Sequence, residues 1–195
     1  MDASGIRNII NTSTSWQHHE NEEYNPVCLY AATKQAFEAI MEFYIRSKKI
    51  NAITLELFDT YGVGDRRNKL FRLLDEAAIS GRLLSMSKGE QLIDLVYIDD
   101  VVNAYLISAE RLYFKEKNSH ERFSVSSGSH VSLKTLVELY CDISKKKINI
   151  YWGGKPYRDR EVMTPSDCVK ILPNWSPKIN ISDGLSKIAK QHLIY

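Results

Sequence analysis

The sequence predicts an α/β protein: a partial doubly wound parallel sheet lacking its first strands, followed by a smaller C-terminal α/β domain. Three observations lead there. Short apolar runs suited to buried strands alternate with longer segments of helical period, the order that builds parallel sheets. The first of these runs, Asn8-Ile9-Ile10-Asn11, passes directly into Thr12-Ser13-Thr14-Ser15, so a polar site falls at a strand's carboxyl end, where open α/β sheets bind ligands. The nine glycines include no G-x-G-x-x-G or G-x-x-G-x-x-G, although such a turn normally follows the first strand of a nucleotide-binding sheet and cradles a pyrophosphate. A truncated or split gene product is the expectation.

The elements follow in order. After a polar loop, Asn25-Pro26 marks a turn, and Phe37, Ile40, Met41 and Tyr44 recur at i, i+3, i+4 and i+7, which predicts a long helix from about Val27 to Ser47. Ala52 to Phe58 is a buried-strand sequence, closed by the glycine-bearing stretch Tyr61 to Asp65. Asn68 to Ile79 is expected to be helical and Asp94 to Ile98 a strand. A helix is expected from Asp99 onward, with Val102, Tyr105, Leu106 and Ala109 on one face. Lys115 to Glu121 is expected as a loop. Phe123 to Val125 gives a short strand, and Leu133, Leu136, Val137 and Tyr140 recur at helical spacing. A last helix is expected near Ser182, a suitable N-cap, with Leu185 and Ile188 facing inward.

Composition narrows the function classes. The 195 residues are 44% hydrophobic and 26% charged, an ordinary globular balance. Apolar runs are short and no signal segment follows Met1 to Gly5, so neither a membrane span nor a leader is expected, and the cytoplasm is the expected location. Cys28, Cys141 and Cys168 lack metal-ligand spacing and are odd in number, which argues against a zinc site or a disulfide framework; no metal is expected. The net charge is +2, and the basic runs Arg66-Arg67 and Lys145 to Lys147 carry no interleaved aromatics, so nucleic acid is not an expected partner.

A tyrosine four residues before a lysine puts a phenol and an ammonium on one helical face, where the cation favours the phenolate and readies a proton-transfer group. The pattern occurs four times, at Tyr30/Lys34, Tyr44/Lys48, Tyr113/Lys117 and Tyr151/Lys155, so spacing alone does not choose. Context favours Tyr30/Lys34, which opens a long helix just after the hydroxyl-rich strand end and sits among Ala31, Ala32 and Ala36, small enough for a flat ring and a sugar to approach. The alternative for Tyr30 is a half-buried structural tyrosine.

Asn25-Pro26 through Glu38 resembles the P-x-x-Y-x-x-x-K-x-x-x-E segment of extended short-chain dehydrogenases/reductases, the NAD-dependent epimerase/dehydratase family of nucleotide-sugar enzymes. The likeness runs from Asn8 to about Leu193. Thr12-Ser13-Thr14 resembles the family's hydroxyl triplet, which implies that Thr14 holds the reacting sugar oxygen, with Ser13 sharing the role; a threonine merely capping the strand end is the alternative. Leu57 to Asp65 resembles R-x-F-N-x-Y-G-P-G, implying that Phe58 lies near nicotinamide. It departs at Glu56, near the usual arginine's place, at Asp59 for asparagine and at Val63 for proline. A carboxylate would repel a diphosphate, so no contact from Asp59 is expected. Gly89 to Val101 resembles G-x-x-x-R-D-[FW]-[VI]-[YH]-V-x-D-[VA], with Ile93 in place of a phosphate-binding arginine. Lys69 and Arg158 are the implied remaining anion contacts, or else ordinary surface cations. Leu172 to Pro177 with Asp183-Gly184-Leu185 resembles the L-G-W-x-P and E-G-L ending, with Trp175 expected to pack beneath the substrate domain.

The resemblance implies a Rossmann-like sheet. Residues 1–65 would form the end of the dinucleotide-binding domain, and 66–195 mostly the substrate domain, with 92–112 returning to the sheet. It implies NAD or NADP as cofactor, a nucleotide sugar as substrate, and Thr14, Tyr30 and Lys34 as catalytic residues, with Tyr30, Lys34 and Phe58 also against the cofactor. The loop between Thr14 and Tyr30 is short, and Ser15 and Trp16, not acidic residues, stand immediately after Thr14. Within the family this is most similar to the CDP-abequose and CDP-paratose synthase-like 4-ketosugar reductases of O-antigen synthesis, which reduce a CDP-4-keto-3,6-dideoxyhexose at C4. A 4-epimerase and a non-catalytic remnant or binding subunit are the alternatives. A homodimer through the Tyr30-bearing helix and a complementing N-terminal polypeptide are the implied protein partners.

Overall fold

The computed structural model describes residues 4–48, 50–114 and 119–191. Three strands form the main sheet: β1 (Asn8–Thr14), β2 (Asn51–Leu57) and β6 (His120–Val125), in the order β1-β2-β6, all parallel. The register sets Thr14 opposite Leu57 and Leu57 opposite Val125, so the three carboxyl ends are level. Helix α1 (Leu29–Lys48) covers one face through Met41 and Ile45, which pack with Ile50 and Ala52. Helix α3 (Ile98–Tyr113) covers the other through Val101, Ala104 and Leu112, against Ile53, Leu55, Phe123 and Val125. Helices on both faces of a parallel sheet are the expected doubly wound layering.

A second layer is built around β3 (Asp59–Tyr61), β5 (Leu92–Tyr97) and β7 (His130–Ser132), where β5 runs parallel to β3 and antiparallel to β7. A parallel pair, β4 (Leu84–Met86) and β8 (Ile150–Trp152), lies apart from both sheets. Helices α2 (Leu70–Ser80), α4 (Leu133–Ser144) and α5 (Ile181–Gln191) bury Leu74, Leu136, Val137, Tyr140, Leu185 and Ile188 with Tyr61 and Tyr97 in a separate core. Of the span 92–112, the helix lies on the main sheet, while strand β5 pairs with β3 and β7 instead.

Several expectations change in detail. Strand β1 continues through the hydroxyl cluster to Thr14. His120 and Glu121, expected in a loop, begin β6, while residues 115–118 lie outside the described residues, Lys117 among them. The apolar stripes of the two sheet-covering helices point outward: Phe37, Ile40 and Tyr44 on α1 and Val102 and Leu106 on α3 are exposed. The last helix is capped by Asn180, whose Oδ1 accepts the Asp183 N–H at 2.9 Å, rather than by Ser182. Trp175 packs into the main-sheet core, not beneath the second layer, because its Nε1–H donates to the Asp100 carbonyl at 2.9 Å in α3. Gly184 on α5 lies against Tyr61; a Cβ there would stand 2.0 Å from the Tyr61 hydroxyl oxygen. No described helix is long and apolar enough to cross a membrane.

Candidate functional site

Strand β1 delivers its hydroxyl triplet to three destinations: alternation across the sheet separates Ser13 from Thr12, and Thr14 ends the strand. Thr12 points to α3, its hydroxyl paired with that of Tyr105. Ser13 points to α1 and donates to Glu38 Oε1 at 2.6 Å; with 2% of its surface exposed it does not reach the cavity described below. Thr14 ends the strand, and its Oγ1 accepts the Trp16 N–H at 3.3 Å, capping a short 3-10 turn over Ser15–Gln17. Thr14 therefore caps the strand end, the alternative reading of its hydroxyl.

Tyr30 stands in the first turn of α1, about half exposed, and one turn later Lys34 lies 5.6 Å from the centre of its ring. The ammonium is held there, because Nζ donates to the Thr12 carbonyl at 3.0 Å. A specific bond thus joins the lysine to the strand, with the tyrosine ring beside it. Small residues make the approach possible: Ala31 is fully buried beside the sheet.

Below this pair runs a buried polar chain. Glu38 on α1 accepts from Ser13 and, at 3.1 Å, from Gln17, and its other oxygen takes a 2.6 Å bond from Arg122 of β6. The Arg122 Nε lies 3.4 Å from Glu56 of β2, and Glu56 binds His18 Nε2 at 2.8 Å. His18 Nδ1 is 3.0 Å from the Glu22 carbonyl. Burial, the largest influence on the His18 ring, opposes its charge, yet the bond to Glu56 and that carboxylate's charge together raise its pKa above the ordinary 6.5. With His18 protonated, two carboxylates face two cations and the chain is neutral. None of these roles was assigned from sequence; Glu38 and Glu56 stood in the motifs, while Arg122 carries no local signal and joins them only through the β2–β6 register.

At the carboxyl ends of the strands opens a cavity of about 450 Å³. Its wall includes Trp16 and His18 from the β1–α1 loop, Phe58 and Asp59 after β2, Lys69 at the start of α2, and Arg158 from the long segment after β8. Phe58 also packs on the main-sheet core. Ile93 lines the cavity from β5 with an apolar side chain. Of the expected site residues the cavity brings together Phe58, Lys69 and Arg158; Thr14, Tyr30 and Lys34 sit at the adjoining strand end, linked to it through Ser15 and Trp16.

The segment bearing Arg158 is latched over the β1–α1 loop. Arg160 donates to Asn25 Oδ1, and Asn21 bonds to Ser166, to the Asp167 N–H at 3.0 Å and to the Asp167 carboxylate at 2.8 Å. Glu20 and Asn21 both have positive φ, 57° and 60°, a conformation that costs energy for residues other than glycine and is held here by the cross-loop bonds.

Parallel strands with a ligand-sized cavity at their carboxyl ends, and a tyrosine–lysine pair fixed to the first strand, define a ligand-binding protein of the doubly wound α/β class. The chain belongs to the NAD dependent epimerase/dehydratase family, whose model matches residues 2–124. It is 31% identical over 167 residues to a CDP-abequose synthase of Salmonella typhimurium, an alignment covering 83% of this chain and 55% of that protein. A CDP-abequose synthase of Yersinia pseudotuberculosis is 32% identical, over 80% of this chain and 54% of its own length. The chain therefore spans little more than half of these relatives. Among solved structures, MoeE5 in complex with UDP-glucuronic acid and NAD superposes with a TM-score of 0.84 at 18% identity, covering 99% of this chain and 67% of that one. A UDP-glucose 4-epimerase from Thermotoga maritima with UDP-glucose gives 0.83 at 22% identity, with 99% and 65% coverage. Both show the fold.

Proposed function

We propose that the chain is the sugar-binding and proton-transferring part of an NAD(P)-dependent nucleotide-sugar oxidoreductase. Its reaction is reduction at C4 of a CDP-4-keto-3,6-dideoxyhexose for O-antigen synthesis in the cytoplasm. The observation that carries this is the Lys34 ammonium, bound to the Thr12 carbonyl beneath the ring of Tyr30. With that ammonium one helical turn away, Tyr30 hands its proton to a sugar oxygen and recovers it from solvent. Thr14, at the adjacent strand end, keeps hydroxyl hydrogen-bonding capacity beyond its cap and positions that same oxygen. Lys34 uses one of its three N–H groups on Thr12 and has two for a nicotinamide ribose, while Phe58 offers an apolar wall to the ring; these residues fit the reactive end of NAD(P). When bound, the dinucleotide supplies the hydride. Lys69 and Arg158 receive the sugar's diphosphate.

Relatives named CDP-abequose synthase favour reduction over its main rival. That rival is 4-epimerisation, favoured by a 25% identical UDP-glucuronate 4-epimerase of Thermodesulfobacterium geofontis. The outward stripe of α1 is the proposed homodimer surface, and the bare edge of β1 the proposed seat of an N-terminal polypeptide that supplies the glycine-rich turn.

The test is turnover of CDP-4-keto-3,6-dideoxyglucose with NADPH by this chain supplemented with the N-terminal portion of a relative. Product formation, lost by at least about a hundredfold in Tyr30→Phe, is the expected result. Interconversion of a UDP-hexose without ketosugar reduction would transfer the reading to the epimerase. Binding of nucleotide sugars without turnover of either would leave a non-catalytic binding subunit.

A further inference from the structure

The cavity wall holds four carboxylates, and three of them are already engaged. Asp65 is bound to Arg67 at 2.6 Å. Asp94 accepts from Ser126 at 2.5 Å and from the Ser127 N–H at 2.8 Å, with His130 at 3.7 Å. Glu161 accepts the Arg158 N–H at 3.2 Å. Asp59 alone among them makes no hydrogen bond or ion pair with the described residues. The cations sort the same way: His18 is bound to Glu56 and Arg160 to Asn25, whereas Lys69 and the Arg158 guanidinium have no side-chain partner among the described residues. Two free cations and one free carboxylate therefore face one cavity without pairing with one another.

A nucleotide sugar's diphosphate carries two negative charges, which Lys69 and Arg158 can balance. An ionised Asp59 would add a further negative charge beside the diphosphate in a partly desolvated cavity, a costly arrangement. A protonated Asp59 removes that charge and becomes a donor, able to give the phosphate a short O–H···O⁻ bond.

We propose that the cavity takes up a nucleotide diphosphate-sugar together with one proton, held by Asp59, so that this residue is a hydrogen-bond donor to the diphosphate and makes binding pH-dependent. The inference rests on the functional reading above and reverses the expectation that Asp59 stays clear of the diphosphate. Burial already leans this way, although most of the charged groups facing Asp59 oppose it. Burial raises its carboxyl above the ordinary range and Asp94 adds to the effect, against Lys69, Arg158 and Arg67, which lower it. His18, across the cavity, is committed to Glu56. A bound anion adds a further negative charge beside Asp59 and tightens its hold on the proton.

The experiment is calorimetric titration of the full chain with CDP-glucose, in buffers of different ionisation enthalpy and across neutral pH. A diphosphate diester does not titrate in this range, so protons taken up belong to the protein. The expected result is net proton uptake on binding, with affinity falling by up to about tenfold per pH unit on the alkaline side. In Asp59→Asn, which keeps a donor and loses the charge, uptake disappears and affinity becomes independent of pH. Binding without proton uptake overturns the inference and leaves the functional reading standing; uptake that persists in Asp59→Asn assigns the proton to another group and also overturns it. Absence of binding at any pH overturns both. Should Asp59→Asn fail to fold, Asp59→Ser, which also keeps a donor and loses the charge, is titrated in its place and judged by the same outcomes.

Discussion

At the scale of single residues the buried chain Ser13–Glu38–Arg122–Glu56–His18 ties three strands, one helix and the cavity loop into one electrostatic unit. Arg122 serves both glutamates, so Arg122→Met leaves two buried carboxylates with only His18 opposite them. The expected loss is about 3–5 kcal/mol in urea unfolding; a loss under about 1 kcal/mol would contradict a shared role. The pH response has a definite sign. His18 binds its proton more tightly folded than unfolded, so its contribution is complete below its unfolded pKa near 6.5 and fades as pH rises through the higher folded value. Stability should therefore fall as pH rises above about 6.5, and His18→Gln should flatten that part of the profile. The sequence made Tyr30 and Lys34 legible because their contact is local, four residues on one helix. It could not separate Thr14 from Ser13, since which of two adjacent hydroxyls faces inward depends on what packs against each side of β1. Arg122 was invisible for the same reason at longer range.

Among the elements, periodicity located every helix but not the direction of its apolar stripe. On α1 the buried line is Ala31, Glu38, Met41 and Ile45, with a charged residue in it, while Phe37, Ile40 and Tyr44 face outward. A hydrophobic count reads the second stripe as the core because Glu38 breaks the first, and only the Arg122 and Ser13 bonds explain how a carboxylate is tolerated there. An exposed row of large apolar side chains lies along this 20-residue helix, the surface proposed for a homodimer. If two copies meet there, Ile40→Glu converts a dimer to a monomer in light scattering while the circular dichroism spectrum is kept; a chain monomeric from the start removes the homodimer from consideration. The joint between α5 and β3 is tested differently. Gly184→Ala sets a methyl against the Tyr61 hydroxyl, and overpacking of this kind costs about 1–3 kcal/mol, read as a lower unfolding midpoint.

For the whole molecule, the alternation of strands and helices was enough to foresee the doubly wound layering, whereas a single cut at residue 65 does not describe how the chain travels. After building β3 and α2 it returns through α3 and β6 to the main sheet, and it comes back again at Leu172 and Trp175. These returns are long-range pairings, set by register and by the Trp175 bond to α3, and no local pattern encodes them. The sheet also has an asymmetry with a functional consequence. Among the described residues β1 pairs with β2 alone, so its other edge presents unpaired backbone N–H and C=O groups, a template for another strand. The sequence supplies no glycine-rich turn to hold a pyrophosphate, and the residues proposed to meet a dinucleotide, Lys34, Tyr30 and Phe58, are placed only at its reactive end. Much of a dinucleotide's binding free energy comes from its phosphates. This polypeptide by itself should then bind NADPH weakly or not at all by fluorescence titration. Adding a separate polypeptide that carries a strand and a G-x-x-G-x-x-G turn should bring binding into the micromolar range and protect the β1 amides from hydrogen exchange. Micromolar binding by the chain alone would contradict this division of labour, as would binding restored without protection of β1.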